Sequence, residues 1–304
     1  MNTKAQKKIP VILDTDIGGD IDDTWALAML LKSPELDTKL ITTCFEDTTY
    51  RAKIVAKMLA IGQRADIPVG IGQSTGPNPN REGQKPWVEN YDLSKYPGRV
   101  LADGVQAMID TIMKSPEPVT LIGIGPLTNV AEALKREPRI AGKCRFVGMQ
   151  GSVYRGHNND PTAITEFNVV KDIPACQKTF TAPWREMILT PLDTCGSIRL
   201  QGDKYAAICA SKDTLTRTII ENYRIWLGNR PENGQSTVLF DTVAVYLAFS
   251  TELLVMERLG IKVTDQGFTV VDPKAKKVNC ALNWQNLSAY EDFLVERLIG
   301  KKPL

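Results

Sequence analysis

The chain has 304 residues, and its 37 lysines and arginines nearly balance 35 aspartates and glutamates, for a formal net charge of +2. This balance gives no electrostatic reason to expect a nucleic-acid partner or an anionic membrane surface. Apolar residues make up 43% and charged residues 24%, which is typical of a globular protein and excludes a mainly disordered, collagenous or coiled-coil chain. No apolar run approaches the roughly 20 residues of a membrane span.

A single histidine, His157, restricts the chemistry further. Zinc sites built from several histidines and the H-E-x-x-H proteases are excluded. A Ser-His-Asp triad would have to use His157 itself.

The cysteines show no C-x-x-C spacing, which argues against zinc ribbons and thioredoxin-like redox motifs. They lie mostly in apolar segments, so we expect buried free thiols in a reducing compartment. No apolar h-region follows the polar residues 1–8, so a cytoplasmic location is the default expectation, with export of a longer precursor left open. The cysteines are Cys44, Cys144, Cys176, Cys195, Cys209 and Cys280.

Short apolar segments alternate with segments of helical spacing along the chain. In the first half, in chain order, we predict a strand over 9–13, a helix over 24–32, a strand over 39–45, a helix over 50–61, a strand over 67–71, a long loop over 73–98, a helix over 102–114, a strand over 119–124, a helix over 127–135 and a strand over 145–149.

The second half continues with a polar loop and more helices. The predicted elements are a loop over 151–161, a helix near 174–179, a strand over 186–189, helices over 215–227 and 242–250, a hairpin over 262–283 around Asp272-Pro273, and a helix over 290–299.

Repeated strand–helix units predict an α/β protein of Rossmann-like type, with a largely parallel sheet and helices on both faces. We find no internal repeat or linker and therefore expect one domain over 1–304. Ligands of such folds bind beyond the carboxyl ends of the strands, so residues 14–23, 46–47, 125 and 150 onward should be informative. A loop as long as 73–98 is usually functional or mobile.

Five aspartates fall within ten residues directly after the first predicted strand. A helix N-terminus stabilises one or two carboxylates, but five this close repel one another unless they are protonated or bridged by a cation. Oxygen ligands alone favour Ca²⁺ or Mg²⁺. The plainer alternative is a helix cap within a solvated acidic loop. The aspartates are Asp14, Asp16, Asp20, Asp22 and Asp23.

Two other acidic motifs fit less well. An EF-hand loop starting at Asp14 would need an acid or amide at Gly18 and a glutamate at Trp25, so this motif is rejected. Asp14-x-Asp16 also suggests a haloacid-dehalogenase-like phosphatase with Asp14 as nucleophile and Asp16 as acid. Gly18 occupies the position where that class has threonine or valine, which makes the match weaker.

The segment from Asp14 to Asp23 resembles the D-x-D-x-G-x-D-D motif that opens the nucleoside hydrolases, the inosine-uridine-preferring N-ribohydrolases, with two extra residues inside the turn. Other family motifs follow in the same order over most of the chain. They are Ile41-Thr-Thr43, Ile67-Pro-Val69, Gly125-Pro-Leu-Thr-Asn129, Glu166-Phe-Asn168, Asp172-Ile-Pro-Ala175, Leu192-Asp193 and Asp241.

The resemblance implies a Ca²⁺ ion deep in the pocket that binds the ribose diol and the attacking water. Matched position by position, Asp16, Asp23 and Asp241 would be carboxylate ligands, and the backbone carbonyl of Ile124 would be another. Asp16 would also take the proton of the water as general base, which fits the lowered pKa of water on a bound cation.

The resemblance also assigns the sugar contacts. Asp22 would bind the ribose hydroxyls, and Glu166 and Asn168 would hold the O3′ and O5′ side of the sugar. The family has an asparagine shortly before this glutamate, and Asn158, Asn159 or Asp160 could take its place beside His157. Carboxylates around the sugar suit an oxocarbenium-like transition state reached by direct attack of water.

The chain departs from the family at the leaving group. Phe240 stands where the family has its leaving-group histidine, and a phenyl ring donates no proton. The loop 73–98 has no histidine either. Asp47 replaces an asparagine and Glu46 a glycine, which predicts more negative charge around the pocket.

Four explanations stay open. His157 could act as the acid, Trp87 or Trp226 could stack on a purine, the leaving group could need little protonation, or another sugar could place extra hydroxyls near Asp20 and Asp47.

We therefore predict Ca²⁺-dependent hydrolysis of an N-glycosidic bond in a ribonucleoside or related furanoside. The alternatives are a non-catalytic or reassigned sugar-binding member of the family and, with a weaker match, a D-x-D phosphatase. The partner is expected to be a small nucleoside or sugar, without nucleic acid or membrane. The resemblance also implies a homodimer or homotetramer.

Overall fold

The computed structural model describes residues 7–300, and its strands form a ten-stranded sheet in the order β4-β3-β2-β1-β5-β6-β7-β10-β8-β9. In chain order the strands are β1 (Ile9–Thr15), β2 (Leu36–Thr43), β3 (Val69–Ile71), β4 (Val100–Leu101), β5 (Val119–Gly123), β6 (Cys144–Gly148), β7 (Glu186–Leu189), β8 (Leu254–Val263), β9 (Thr269–Val271) and β10 (Lys277–Trp284). All neighbours from β4 to β10 are parallel, and β8 and β9 add two antiparallel pairings. The predicted α/β class with a largely parallel sheet is confirmed.

The helices are α1 (Asp22–Leu31), α2 (Thr48–Ile61), α3 (Lys85–Val88), α4 (Gly104–Lys114), α5 (Thr128–Arg136), α6 (Ile140–Lys143), α7 (Phe167–Lys171), α8 (Ile173–Thr181), α9 (Leu192–Cys195), α10 (Gly202–Cys209), α11 (Thr214–Leu227), α12 (Thr242–Leu247) and α13 (Leu287–Ile299). The eight predicted helices are all present, and the structure adds α3, α6, α7, α9 and α10, which the sequence did not predict. The predicted loop 73–98 contains α3 and two short 3-10 turns, Pro79–Arg81 and Leu93–Lys95. Within residues 7–300, no helix combines the length and apolarity needed to cross a membrane.

Both faces of the sheet are covered, as the alternation of side chains on β1 shows. Val11 and Leu13 belong to the core on one face, with Trp25 of α1, whereas Ile12 belongs to the core on the other face, with Val105 of α4. Successive strand residues point to opposite faces, so an apolar run without alternation is what a doubly covered strand needs.

The hairpin prediction was wrong in its pairing. β8 pairs with β9 across the turn Thr264–Phe268, where the Thr264 amide donates to the Phe268 carbonyl at 2.8 Å. β10 returns to the other side of β8 and inserts beside β7. The turn at Asp272-Pro273 thus connects two strands that both pair with β8, because alternation marks strands without showing which edges pair.

The six cysteines are free in the structure. Five are buried, as expected for cysteines in apolar segments, and Cys209 is exposed at the end of α10.

Candidate active site

A cavity of about 160 Å³ lies at the carboxyl ends of the parallel strands. We call its buried residues the floor and its exposed or half-buried residues the rim. The floor consists of Asp16, Asp22, Asp23, Ile124, Met149, Glu166, Asn168, Leu192 and Asp241. The rim consists of Asp20, Arg81, His157, Phe167 and Phe240.

Three carboxylates meet on the floor. Asp22 and Asp23 begin α1 and Asp241 directly precedes α12, and each offers an oxygen within 4.8 Å of the others. Burial, reinforced by repulsion from neighbouring aspartates, raises the pKa of all three well above the ordinary value. These groups need protons or a cation to share the space.

Asp16 lies beside this triad. Burial raises its pKa, and the opposing charges of Arg51 and Arg81 lower it only in part. A Cβ on Gly125 would come within 2.9 Å of Asp16 Oδ1, so the glycine of the Gly125-Pro126 turn makes room for this carboxylate. The carbonyl of Ile124 precedes that glycine and lines the same cavity.

Glu166 and Asn168 are held rigidly at the start of α7. Glu166 accepts from the backbone amides of Gly151 at 3.0 Å and Asn168 at 2.7 Å, and burial raises its pKa to about 7. Asn168 Nδ2 donates to the carbonyls of Ile124 at 3.2 Å and Met149 at 3.1 Å. These hydrogen bonds to the backbone fix the positions of both side chains on the floor of the cavity.

The floor fits a divalent cation by its chemistry. Its candidate ligands are oxygen atoms, the donor type that Ca²⁺ and Mg²⁺ prefer. The mutual repulsion of Asp22, Asp23 and Asp241 is the electrostatic term that such an ion would offset. Asp16 and Ile124 line the same cavity, so the Asp16 carboxylate and the Ile124 carbonyl, which also accepts from Asn168 Nδ2, are further candidate oxygen ligands.

Three residues predicted to bind substrate lie outside the cavity lining. Asp47 caps α2, where its carboxylate accepts from the amides of Thr49 at 3.0 Å and Tyr50 at 2.9 Å. Asn159 and Asp160 are exposed in the turn that follows His157. The structure therefore does not bring these three side chains into the cavity with the other predicted site residues.

Neither Trp87 nor Trp226, the two candidates for stacking on a purine, lines the cavity. Trp87 is buried, with Lys57 Nζ 4.2 Å from its ring centroid. Trp226 packs beside the acidic turn, and its Nε1 donates to the Gly19 carbonyl at 3.1 Å. His157, by contrast, does reach the rim, with its ring centroid 5.6 Å from that of Phe240.

Asp14, the nucleophile required by the phosphatase hypothesis, is buried outside the cavity lining. Its Oδ1 accepts from Thr42 Oγ1 at 2.6 Å and from Asn129 Nδ2 at 2.7 Å. Burial raises its pKa to about 7, so only part of this carboxyl is ionised at neutral pH. The geometry argues against attack by Asp14 on a phosphate.

Sequence reasoning missed Arg81, which reaches the rim from the loop 73–98. Its Nε lies 3.3 Å from Glu46 Oε1, and its Nη2 lies 3.9 Å from Asp16 Oδ2. The other oxygen of Glu46 accepts from Arg51 Nη2 at 2.6 Å. The extra negative charge expected at Glu46 is therefore offset by two arginines, a pairing that spacing along the chain does not reveal.

Two glycines of the acidic turn, Gly18 and Gly19, contact residues that lie in or next to that loop. Gly18 adopts φ +107°, a conformation that favours glycine, and its carbonyl accepts from Tyr50 Oη at 3.1 Å. The absence of a side chain on Gly19 lets Arg81 approach, since a Cβ there would lie 2.8 Å from Arg81 Nη2. Trp226 Nε1 donates to the carbonyl of the same Gly19.

Comparison with known proteins agrees with this architecture. Residues 11–296 match the family described as inosine-uridine preferring nucleoside hydrolase. The chain is 32% identical over 284 residues to the non-specific ribonucleoside hydrolase RihC of Klebsiella pneumoniae, covering 87% of this chain and 88% of the relative. This chain belongs to the inosine-uridine preferring nucleoside hydrolase family. It is accordingly a hydrolase that acts on N-glycosyl compounds.

Solved structures share the nucleoside hydrolase fold at lower identity. A plant nucleoside hydrolase superposes with a TM-score of 0.81 at 21% identity, covering 96% of this chain and 99% of the other. The inosine-uridine preferring nucleoside hydrolase of Bacillus anthracis gives a TM-score of 0.74 at 21% identity, covering 97% and 100%. These likenesses support the fold.

Proposed function

We propose that this nucleoside hydrolase cleaves the N-glycosidic bond of a ribonucleoside or related furanoside, with Ca²⁺ on the cavity floor and Asp16 as general base. The observation that carries the proposal is the buried triad of Asp22, Asp23 and Asp241 beside Asp16. Ca²⁺ is preferred over Mg²⁺ because a site of three or four carboxylates and a carbonyl suits a cation of high coordination number.

The floor offers a place for the sugar. Asp22 would accept from the ribose diol. The Asn168 amide nitrogen is already engaged with two carbonyls, so its Oδ1 is the atom left to accept from a sugar hydroxyl. Glu166 holds the backbone that presents Asn168 and places a carboxylate near the developing positive charge.

The reaction is a direct displacement. The water oxygen forms a bond to C1′, its proton passes to Asp16, and the electron pair of the C1′–N bond leaves with the base. Carboxylates of the floor stabilise the oxocarbenium-like sugar. The positive charge of a bound divalent cation would orient the diol and lower the pKa of the attacking water.

The test is release of free base from a panel of ribonucleosides, with protein stripped by EDTA and then returned to Ca²⁺ or Mg²⁺. We expect turnover with Ca²⁺, none after stripping, and a rise of the melting temperature when Ca²⁺ is restored. Asp241→Asn should lose both the turnover and the Ca²⁺-dependent rise. Phosphate release from a phosphomonoester, with no base release, would contradict the proposal.

A second candidate function is sugar binding without turnover. Phe240 favours it, because this rim position presents a ring that donates no proton. Calorimetric binding of ribose or a nucleoside, with no turnover of any glycoside in the panel, would establish this alternative instead.

A further inference from the structure

Among the described residues that line the cavity, Arg81 is the one that carries a guanidinium group. It stands on the rim, whereas the carboxylates proposed to bind the sugar stand on the floor. A sugar seated on the floor directs its leaving group toward the rim. The group that departs from C1′ therefore meets a permanent positive charge.

The charge of Arg81 is not fully consumed by its neighbours. Glu46 is shared with Arg51, at 2.6 Å, and with Asn78 Nδ2, at 2.9 Å. The 3.9 Å between Arg81 Nη2 and Asp16 Oδ2 is longer than a hydrogen bond. The Arg81 side chain keeps 29% of its surface exposed, so its outer N–H groups can donate to a ligand.

The aromatic residues of the rim hold this cation and shape the space around it. Arg81 Cζ lies 4.2 Å from the ring centroid of Phe167, within the range of a cation–π contact. Phe240 and His157 of the rim also contact each other, with their ring centroids 5.6 Å apart. A flat leaving group would thus meet apolar ring surface and a fixed cation.

We infer that Arg81 stabilises the leaving group as an anion, in place of protonation by an acid. This inference rests on the proposed function. The C1′–N bond breaks with both electrons going to nitrogen, water supplies the new C1′–O bond and gives its proton to Asp16, and the anion next to Arg81 takes a proton from solvent after release. The step needs no donor at Phe240.

The substrate class follows from this electrostatics. Ribosides whose free base is the stronger N–H acid are the better substrates, because their anions form more readily. Uridine and cytidine are a matched pair, since they share the ribose and the pyrimidine skeleton and differ at C4, which makes the N1–H of uracil much more acidic than that of cytosine. Uridine is therefore hydrolysed faster.

The experiment measures kcat/KM, with Ca²⁺ present, for uridine, cytidine and 4-nitrophenyl β-D-ribofuranoside. Arg81→Gln should lower kcat/KM for uridine by about 100-fold, as expected for removing a group that stabilises developing negative charge. The loss on the 4-nitrophenyl riboside should be several times smaller, because 4-nitrophenolate leaves without help. Arg81→Lys keeps the charge and should restore most of the rate on uridine.

Arg230→Gln is the matched control. Arg230 also stacks on an aromatic ring, with Cζ 3.9 Å from the ring centroid of Trp226, but it is exposed and outside the cavity lining. It should change none of the three rates. If Arg81→Gln unfolds, Arg81→Lys and the wild-type preference for uridine over cytidine decide the question.

Equal losses on all three substrates in Arg81→Gln, or a wild-type enzyme that hydrolyses cytidine as fast as uridine, would overturn the inference and leave the proposed hydrolase intact. A wild-type enzyme that releases neither base nor 4-nitrophenolate defeats the proposed function, and the inference with it.

Discussion

The floor and the rim of the cavity differ in what holds them, although Asp20, Phe167 and Phe240 of the rim are neighbours of floor residues along the chain. Floor residues such as Asp16, Ile124 and Met149 directly follow strands β1, β5 and β6, so the sheet itself fixes them. Rim residues such as Arg81 and His157 come from long connecting segments. The fold thus provides the sugar site, while loops provide the surroundings of the leaving group, the part of a site that varies most readily between related proteins.

The largest effect that separates floor from rim is expected within the acidic turn itself. Asp16→Asn should lower kcat by about a thousandfold, since it removes the proposed general base without changing its shape. Asp20→Asn, at an exposed residue of the rim, should change kcat by less than about tenfold. Steady-state kinetics on uridine with both variants checks this, and similar losses would remove the distinction between floor and rim.

The sequence was enough to predict the fold and most of the floor. Asp16, Asp22 and Asp23 sit between an apolar strand and an apolar helix, so their position at the carboxyl edge of the sheet follows from local pattern. Glu166 and Asn168 needed the family resemblance, because a short motif in a loop has no periodicity that places it. The structure brings all five to one cavity with Asp241.

The rim could not be predicted in the same way. Arg81 and Glu46 are far apart along the chain, and the fold brings them into contact. Asp47 illustrates a related physical difficulty. An aspartate after a strand can cap the N-terminus of the next helix as readily as it can bind a ligand, and Asp47 caps α2. The substitution of a glycine by Glu46 was the one sign in the sequence that a basic partner was nearby.

The next effect concerns the stability of the floor. Burial raises the pKa of Glu166 from 4.5 to about 7, so the folded state holds a proton that the unfolded state releases. The contribution of Glu166 to the free energy of unfolding should therefore be complete below about pH 4.5. It should fall as the pH rises to 7, by up to about 1.4 kcal/mol per pH unit. The measurement is urea unfolding in EDTA at several pH values. The free energy of unfolding should depend less steeply on pH in Glu166→Gln than in the wild type.

Glu137→Gln provides the comparison for that measurement. Hydrogen bonding from Arg139 lowers the pKa of Glu137 to about 2, so this surface carboxylate does not titrate between pH 4.5 and 7. The variant should keep the slope of the wild type. A slope unchanged in Glu166→Gln would show that burial on the floor does not shift this group.

A smaller effect is expected when the rim is given the proton donor that it lacks. Phe240→His should raise kcat/KM for cytidine by about tenfold, since general acid catalysis assists a poor leaving group most. The rate on 4-nitrophenyl β-D-ribofuranoside should stay unchanged, because that leaving group needs no proton. Phe240→Leu, which removes the ring without adding an acid, separates the effect of the imidazole from the effect of space.

The smallest effect tests whether floor and rim are coupled through Gly19 of the acidic turn. Trp226→Phe removes the indole N–H that donates to the Gly19 carbonyl, a bond worth about 1 kcal/mol, and Gly19 is the residue against which Arg81 packs. A shift of the turn would move the rim while Asp16 stays fixed by β1, so KM for uridine should rise about threefold with kcat nearly constant. Trp87→Phe, in a tryptophan outside the cavity lining, should leave both constants unchanged. A large fall in kcat for Trp226→Phe would mean that the turn positions the general base as well as the rim, and the two regions would then act as one.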